Sequence, residues 1–209
     1  MEIRSPSLNV VAGSCGLGKS HLVRYLAYTL AVQKKIDYAV YFSMTPEELD
    51  YVPPDFVHFS FDEGKLADLM RLQKRLKSEG RPRSCLLVFD DCLGAVNFGS
   101  RLMTILVSQF RHYGLTVVFS TQYLYKIPPL LRECATYAFI FRQSTLRSIQ
   151  AAYDSYGQRY RSLQEFKTHL ERSTGDFGIL WVDLRAMDPA AIYRAVRAPA
   201  RIPAFRLSF

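Results

Sequence analysis

Short apolar runs alternate along the chain with stretches whose apolar residues recur at helical spacing. The runs predict strands at residues 8–12, 38–43, 56–61, 85–89, 115–120, 137–141 and 178–184. Two of them, 85–89 and 115–120, are apolar almost throughout, which is typical of strands buried on both faces. Strands that alternate with helices predict an α/β fold with a mostly parallel central sheet flanked by helices.

The stretches between the runs predict the flanking helices. The first of these helices begins at Ser20. The others cover residues 63–79, 98–112, 128–134, 144–155 and 162–173. Beyond residue 188 the pattern changes to scattered prolines and arginines. We therefore divide the chain into a core of residues 1–188 and a basic, Pro-containing tail of residues 189–209, which we expect to form an edge strand and an extended arm.

A phosphate-binding loop joins the first predicted strand to the first helix. Its sequence, GSCGLGKS, satisfies G-x-x-x-x-G-K-[ST] in the strand–loop–helix context that this motif requires. Glycines let the backbone amides turn towards an anion, and the helix start adds free N–H donors. Lys19 would neutralise the β- and γ-phosphates of ATP, and the Ser20 hydroxyl would ligate Mg²⁺. The predicted ATP-binding residues are Gly13, Ser14, Cys15, Gly16, Leu17, Gly18, Lys19, Ser20 and His21.

Polar residues follow two of the predicted buried strands. Asp90 and Asp91 end the strand at 85–89, and Gln122 follows the strand at 115–120. Because strand carboxyl ends meet at the ligand crevice of a parallel sheet, we predict that Asp90 holds the Mg²⁺ water shell. Asp91 would act as general base towards water, and Gln122 would contact the γ-phosphate and that water. The alternative is that these side chains only cap turns.

The order of these motifs favours one class of ATPase. A Walker B strand far from the phosphate loop, followed by a strand ending in Gln122, favours the additional-strand class over simple kinases. Hydrolysis needs further positive charge, which an arginine from a neighbouring subunit can supply. Arg111 and Arg132 are the candidates for this arginine finger, and the alternative for each is a solvated surface charge.

Composition narrows the range of partners and compartments. The chain has 209 residues, 49% of them hydrophobic, and a net charge of +8, which favours a polyanionic partner such as nucleic acid. A basic protein without such a partner is the alternative. No two of the four cysteines form a C-x-x-C pair, and this usage of cysteine indicates a reducing compartment. No apolar stretch approaches the ~18 residues of a membrane span.

These motifs together resemble a known superfamily. The loop at 13–20, LLVFDD at 86–91, RHYGLTVVFSTQ at 111–122 and IPPLLR at 127–132 are similar to the FtsK–HerA superfamily. Within it, they most resemble the poxvirus-type genome-packaging ATPases of large DNA viruses. The resemblance covers roughly residues 6–185, and the Arg-His that precedes a strand ending in Thr-Gln is its most specific part.

The resemblance implies a RecA-like ATPase core that assembles into a homo-oligomeric ring, a hexamer or a pentamer. Such a ring pumps double-stranded DNA into a procapsid and docks on a capsid portal or membrane vertex protein. The resemblance also implies that Arg111 reaches the neighbouring subunit's nucleotide, which ranks it above Arg132. Asp91 stands where cellular members carry glutamate. The implied location is the viral factory in the host cytoplasm, or the virion.

The leading functional hypothesis is therefore an ATP-hydrolysing DNA translocase for genome packaging. A cellular or plasmid DNA-pumping ATPase of the same superfamily is a close alternative. Two alternatives belong to other classes: a small-molecule or nucleoside kinase, and an assembly protein that binds ATP with negligible turnover. DNA-stimulated hydrolysis by an assembled ring would distinguish the translocase from both.

Overall fold

A computed structural model describes residues 1–46 and 49–207. The strands are β1 Leu8–Ala12, β2 Tyr38–Ser43, β3 Val57–Phe59, β4 Cys85–Asp90, β5 Leu115–Thr121, β6 Tyr137–Ile140, β7 Ile179–Asp183 and β8 Tyr193–Val196. The helices are α1 Lys19–Val32, α2 Glu63–Ser78, α3 Arg101–Gln109, α4 Pro129–Cys134, α5 Leu146–Tyr156 and α6 Leu163–Ser173. None of them is long and apolar enough to cross a bilayer. The predicted α/β class is confirmed.

All eight strands join one sheet in the order β3-β2-β4-β5-β1-β6-β7-β8. The strands from β3 to β6 in this order are parallel, whereas β7 is antiparallel to both of its neighbours. β5 therefore lies between β1, which leads into the glycine-rich loop, and β4, which ends in Asp90. This inserted strand is the arrangement expected of the additional-strand class.

The strands between the two edge strands are buried on both faces of the sheet, which explains the uninterrupted apolar runs. Alternate residues of each central strand point to opposite sides. On one side Phe89 and Phe119 stack with ring centroids 4.5 Å apart, in a cluster that includes apolar residues of α2 and α3. On the other side Val88 and Val118 share a cluster with apolar residues of α1. The hydrophobic layers on the two faces of the sheet thus hold the central strands in place, and with them the loops that follow the strand ends.

Two predicted elements are shorter in the structure by three residues or more. The strand predicted at 56–61 is limited to β3, Val57–Phe59, since Ser60 has a φ of 62° that breaks the extended conformation. The helix predicted at 98–112 begins only at Arg101, where the Ser100 hydroxyl caps the helix by accepting a bond from the Met103 amide. It ends at Gln109 and gives way to a 3₁₀ turn at Phe110–Tyr113.

Residues 189–207 pack against the rest of the molecule. β8 is the edge strand of the sheet and pairs antiparallel with β7. The segment 197–207 then returns across α1, where the Phe205 ring lies 5.4 Å from the Tyr28 ring. The Leu207 amide donates to the Tyr51 carbonyl at 2.8 Å. The last two residues of the predicted tail, Ser208 and Phe209, lie outside the described residues.

Candidate nucleotide-binding site

The glycine-rich loop between β1 and α1 has the backbone that its sequence predicts. Gly16 and Gly18 adopt left-handed φ values of 76° and 89°, which residues with a side chain rarely adopt. α1 begins at Lys19, and no side chain caps its N-terminus. The first amides of this helix are therefore available to an anion, and the helix dipole favours negative charge there.

Gly13 anchors the loop to the sheet through close backbone contact. Its amide donates to the Thr121 carbonyl of β5 at 3.1 Å. A Cβ atom at this position would lie 2.5 Å from the Phe141 Cβ, far inside van der Waals contact. The position therefore needs glycine for space, because the loop passes directly over the end of β6.

We expect Gly13→Ala to destabilise the protein by about 1–3 kcal/mol, the usual cost of overpacking a tight site. Urea unfolding followed by the fluorescence of Trp181 measures this free energy. Gly94→Ala is the matched control, because a Cβ at Gly94 meets nothing within 4 Å. Equal unfolding midpoints for the two variants would contradict the close contact at Gly13.

Lys19 is held in place before any ligand binds. Its side chain is buried, with 8% of the residue exposed, and its ammonium donates to the Ser14 carbonyl at 3.2 Å across the loop. A neutral acceptor does not compensate the charge of a buried cation, so an anion beside Lys19 is favoured. The loop thus surrounds one fixed positive charge.

Ser20 and Asp90 form the second half of the site. The Ser20 hydroxyl donates to Asp90 Oδ2 at 3.2 Å, which joins the start of α1 to the end of β4. Asp90 is 6% exposed, and its Oδ1 is buried without a hydrogen-bond partner. Burial raises the pKa of Asp90, although the hydrogen bond from the Ser20 hydroxyl partly offsets it.

This pair fits a magnesium ion. Mg²⁺ takes oxygen ligands, usually one or two from the protein and the rest from water and phosphate. A buried carboxylate oxygen without a partner, next to a hydroxyl at a phosphate loop, is such a ligand set. A cation there would also compensate the burial that raises the pKa of Asp90.

Asp91 and Gln122 meet at the same edge of the sheet. β4 and β5 are parallel neighbours with Asp90 opposite Ser120, so the residues that follow them lie side by side. Gln122 Nε2 donates to Asp91 Oδ2 at 2.6 Å. Asp91 has a φ of 54° and is exposed, whereas Asp90 is buried. The two aspartates therefore have different environments that suit different tasks.

The two candidate arginines lie away from this edge. Arg111 is exposed in the turn that precedes the amino end of β5, the opposite end from Gln122. Arg132 is half-buried on α4 and donates to the Ser155 hydroxyl of α5 at 3.1 Å. The structure thus brings together Lys19, Ser20, Asp90, Asp91 and Gln122, and it does not bring either arginine to them within one subunit.

One residue beside the loop, Phe177, cannot be identified from the sequence patterns. His21, predicted from its place after the motif, has its Nε2 2.8 Å from the Pro199 carbonyl of the segment 197–207. Beside it lies Phe177, in a turn between α6 and β7, with 61% of the residue exposed. An aromatic residue flanked by Asp176 and Gly178 resembles any surface turn, so only the folded chain places it next to the loop.

The strand order and this edge of the sheet define the class of the fold, that of P-loop ATPases with an additional strand. No family model matches the chain. It is 28% identical over 197 residues to the uncharacterized protein 075L of Invertebrate iridescent virus 6. The aligned residues cover 90% of this chain and 74% of that protein.

Solved structures share the fold at low sequence identity. The DNA-packaging ATPase B204 of Sulfolobus turreted icosahedral virus matches with a TM-score of 0.69 and 14% identity, over 94% of this chain and 99% of that one. The conjugation coupling protein TcpA of pCW3 matches with a TM-score of 0.58 and 14% identity, over 92% of this chain and 60% of that one. These likenesses show that the chain has the fold of these ATPases, which is the fold that the resemblance to the FtsK–HerA superfamily predicts.

Proposed function

We propose that this protein is a viral ATPase that drives double-stranded DNA into a procapsid as a homo-oligomeric ring. The observation that carries the proposal is the contact between Ser20 and Asp90, 3.2 Å apart, beside the buried Lys19. A phosphate beside Lys19 and a divalent cation beside Asp90 would fit this arrangement. The fold shared with B204 supports packaging as the work that hydrolysis performs.

The proposed mechanism assigns one task to each residue. The loop amides and Lys19 bind the β- and γ-phosphates and hold them in line for attack by water. Asp91 orients the attacking water and accepts its proton, while Gln122 keeps that carboxylate in position and contacts the γ-phosphate. Mg²⁺, held through Ser20 and Asp90, would neutralise charge on the phosphates. Arg111 of a neighbouring subunit supplies the last positive charge.

The basic surface supports DNA as the partner. Positive charge exceeds negative charge along α2, whose basic residues are Lys65, Arg71, Lys74, Arg75 and Lys77. Two of these form ion pairs: Arg71 with Asp68 of the same helix, and Arg75 with Glu79, which directly follows the helix. Contacts to phosphate carry no sequence information, which suits a motor that must pass any sequence.

The test is ATP hydrolysis by assembled protein with and without duplex DNA. We expect duplex DNA of any sequence to raise the rate several-fold, and added salt to weaken that effect as phosphate contacts are screened. Rates that are equal with and without duplex would contradict the DNA motor. Phosphate transfer to a nucleoside would favour the kinase, although a strand inserted between β1 and β4 argues against simple kinases.

A second candidate is a cellular or plasmid DNA-pumping ATPase, which the likeness to TcpA favours. The two candidates differ in what the ring docks on. Association of the ATPase with procapsids, through a portal or membrane vertex protein, is expected for the packaging motor. Stimulation by duplex without any association with procapsids would favour the alternative.

A further inference from the structure

A cavity of about 400 Å³ opens beside the phosphate loop, on the side away from Asp91. Its walls are mostly apolar and include Leu17 of the loop, Phe141 and Ile179 at the ends of neighbouring strands, Phe177, and Ala198. This volume lies within the range of small-ligand sites. Because Leu17, Gly18 and His21 border it, anything bound there lies next to a phosphate held by the loop.

Phe177 is held at the mouth of this cavity by an unusual turn. Asp176 and Phe177 both adopt left-handed φ values, 46° and 57°. A Cβ on Gly178 would lie 2.3 Å from the Ser173 carbonyl oxygen, so the backbone there is tightly fixed. The Phe177 ring lies against Gly18, with its Cδ1 3.9 Å from where a Gly18 Cβ would be. Consecutive strained residues that hold an exposed ring beside a ligand loop point to a functional role for that ring.

The segment 197–207 closes the remaining side of the cavity. Arg197 forms an ion pair with Asp176 at 2.8 Å, which ties this segment to the turn that carries Phe177. The Pro199 carbonyl lies 2.8 Å from His21 Nε2, which ties it to the first turn of α1. The charged side chains at the cavity are thereby paired with each other, and the surface left for a ligand is apolar.

We propose that this cavity receives the nucleobase of the bound nucleotide, with the Phe177 ring stacked on the base. The proposal rests on the proposed function, because it requires the triphosphate to lie in the loop at Gly13–Ser20. A base held by stacking and apolar contact is distinguished poorly from other bases of similar shape. We therefore infer that the site accepts adenine and guanine nucleotides with affinities within about tenfold of each other.

Calorimetric binding of two ligands tests the proposal, each with Mg²⁺: ATPγS, which has a base, and inorganic tripolyphosphate, which has none. Phe177→Ala is expected to weaken ATPγS by about tenfold, the usual effect of removing one stacking ring, and to leave tripolyphosphate unchanged. Phe59→Ala is the matched control, since Phe59 is 68% exposed on the edge strand β3. It is expected to change neither affinity.

A second variant protects the test against a local folding defect. Ala198→Trp fills the cavity from the opposite wall and is expected to weaken ATPγS while tripolyphosphate binding persists. If Phe177→Ala and Ala198→Trp both bind ATPγS as the parent does, the base lies elsewhere and the proposal is overturned. GTPγS binding more than about tenfold weaker than ATPγS would overturn the apolar mode of recognition. If the parent binds neither ATPγS nor tripolyphosphate, the proposed function itself fails.

Discussion

Replacing Lys19 by alanine is expected to lower ATP hydrolysis by about 10³-fold, the scale of losing a preorganised charge at a reacting group. Lys19 is buried and already oriented by the Ser14 carbonyl, so it needs little rearrangement to meet the phosphates. In the transition state, negative charge is spread over the equatorial oxygens of the transferring phosphoryl group and the leaving oxygen, and the ammonium would stabilise this distribution. ATP affinity should fall as well, because the ground state also contacts this cation.

Steady-state phosphate release and calorimetric ATPγS binding measure the two effects of Lys19→Ala. Lys34→Ala is the matched control, because Lys34 is exposed just beyond the far end of α1. Folding should survive in both variants, since Lys19 makes a single neutral hydrogen bond and its burial as a charge favours the unfolded state. Hydrolysis by Lys19→Ala within tenfold of the parent would show that the loop does not hold the reacting phosphate.

Much of the site could be predicted because its signals are local. The phosphate loop is a contiguous motif, and Asp90 and Gln122 each directly follow an apolar run that is buried on both faces. In a parallel sheet the carboxyl ends of such strands share one edge. The direction of the strands alone therefore predicts that the phosphate loop, Asp90 and Gln122 lie together. The structure adds the 2.6 Å contact between Gln122 and Asp91.

The remaining features depend on contacts between residues distant in sequence. No pattern in the sequence reveals that Arg132 donates to Ser155 or that Arg197 pairs with Asp176. β3 is short because Ser60 adopts a left-handed φ. In the sequence, Ser60 fits the alternation of residues 56–61 and gives no sign of this break. Phe177 is identified only by its position beside Gly18, which arises when the turn before β7 folds against the loop.

Arg111 and Gln122 lie near opposite ends of the same strand. β5 has seven residues, so its ends are about 20 Å apart at roughly 3.3 Å per residue. Arg111 therefore cannot reach the phosphate loop of its own subunit without unfolding that strand. Its guanidinium carbon lies 4.9 Å from the centre of the Phe110 ring, and the residue is exposed. An exposed arginine at the far end of the strand from its own site is available to act on a neighbouring subunit.

Arg111→Ala is accordingly expected to lower hydrolysis by about 10³-fold in the assembled ring, with ATPγS affinity unchanged. Arg132→Ala should leave the catalytic rate near that of the parent, because its guanidinium is bonded within its own subunit. Arg172→Ala, an exposed arginine in the last turn of α6, is the surface control. Equal losses for Arg111→Ala and Arg132→Ala would contradict the choice between the two candidates.

Mixing two inactive variants tests whether Arg111 acts across the interface. In a head-to-tail ring, each site combines the loop of one subunit with the arginine of the next. Equimolar Lys19→Ala and Arg111→Ala subunits therefore form intact sites at about one interface in four, and hydrolysis should reappear in the mixture. A mixture as inactive as its components would show that Arg111 does not act in trans. Recovery would also mean that β5 carries Gln122 of one site near one end and Arg111 of the neighbouring site near the other.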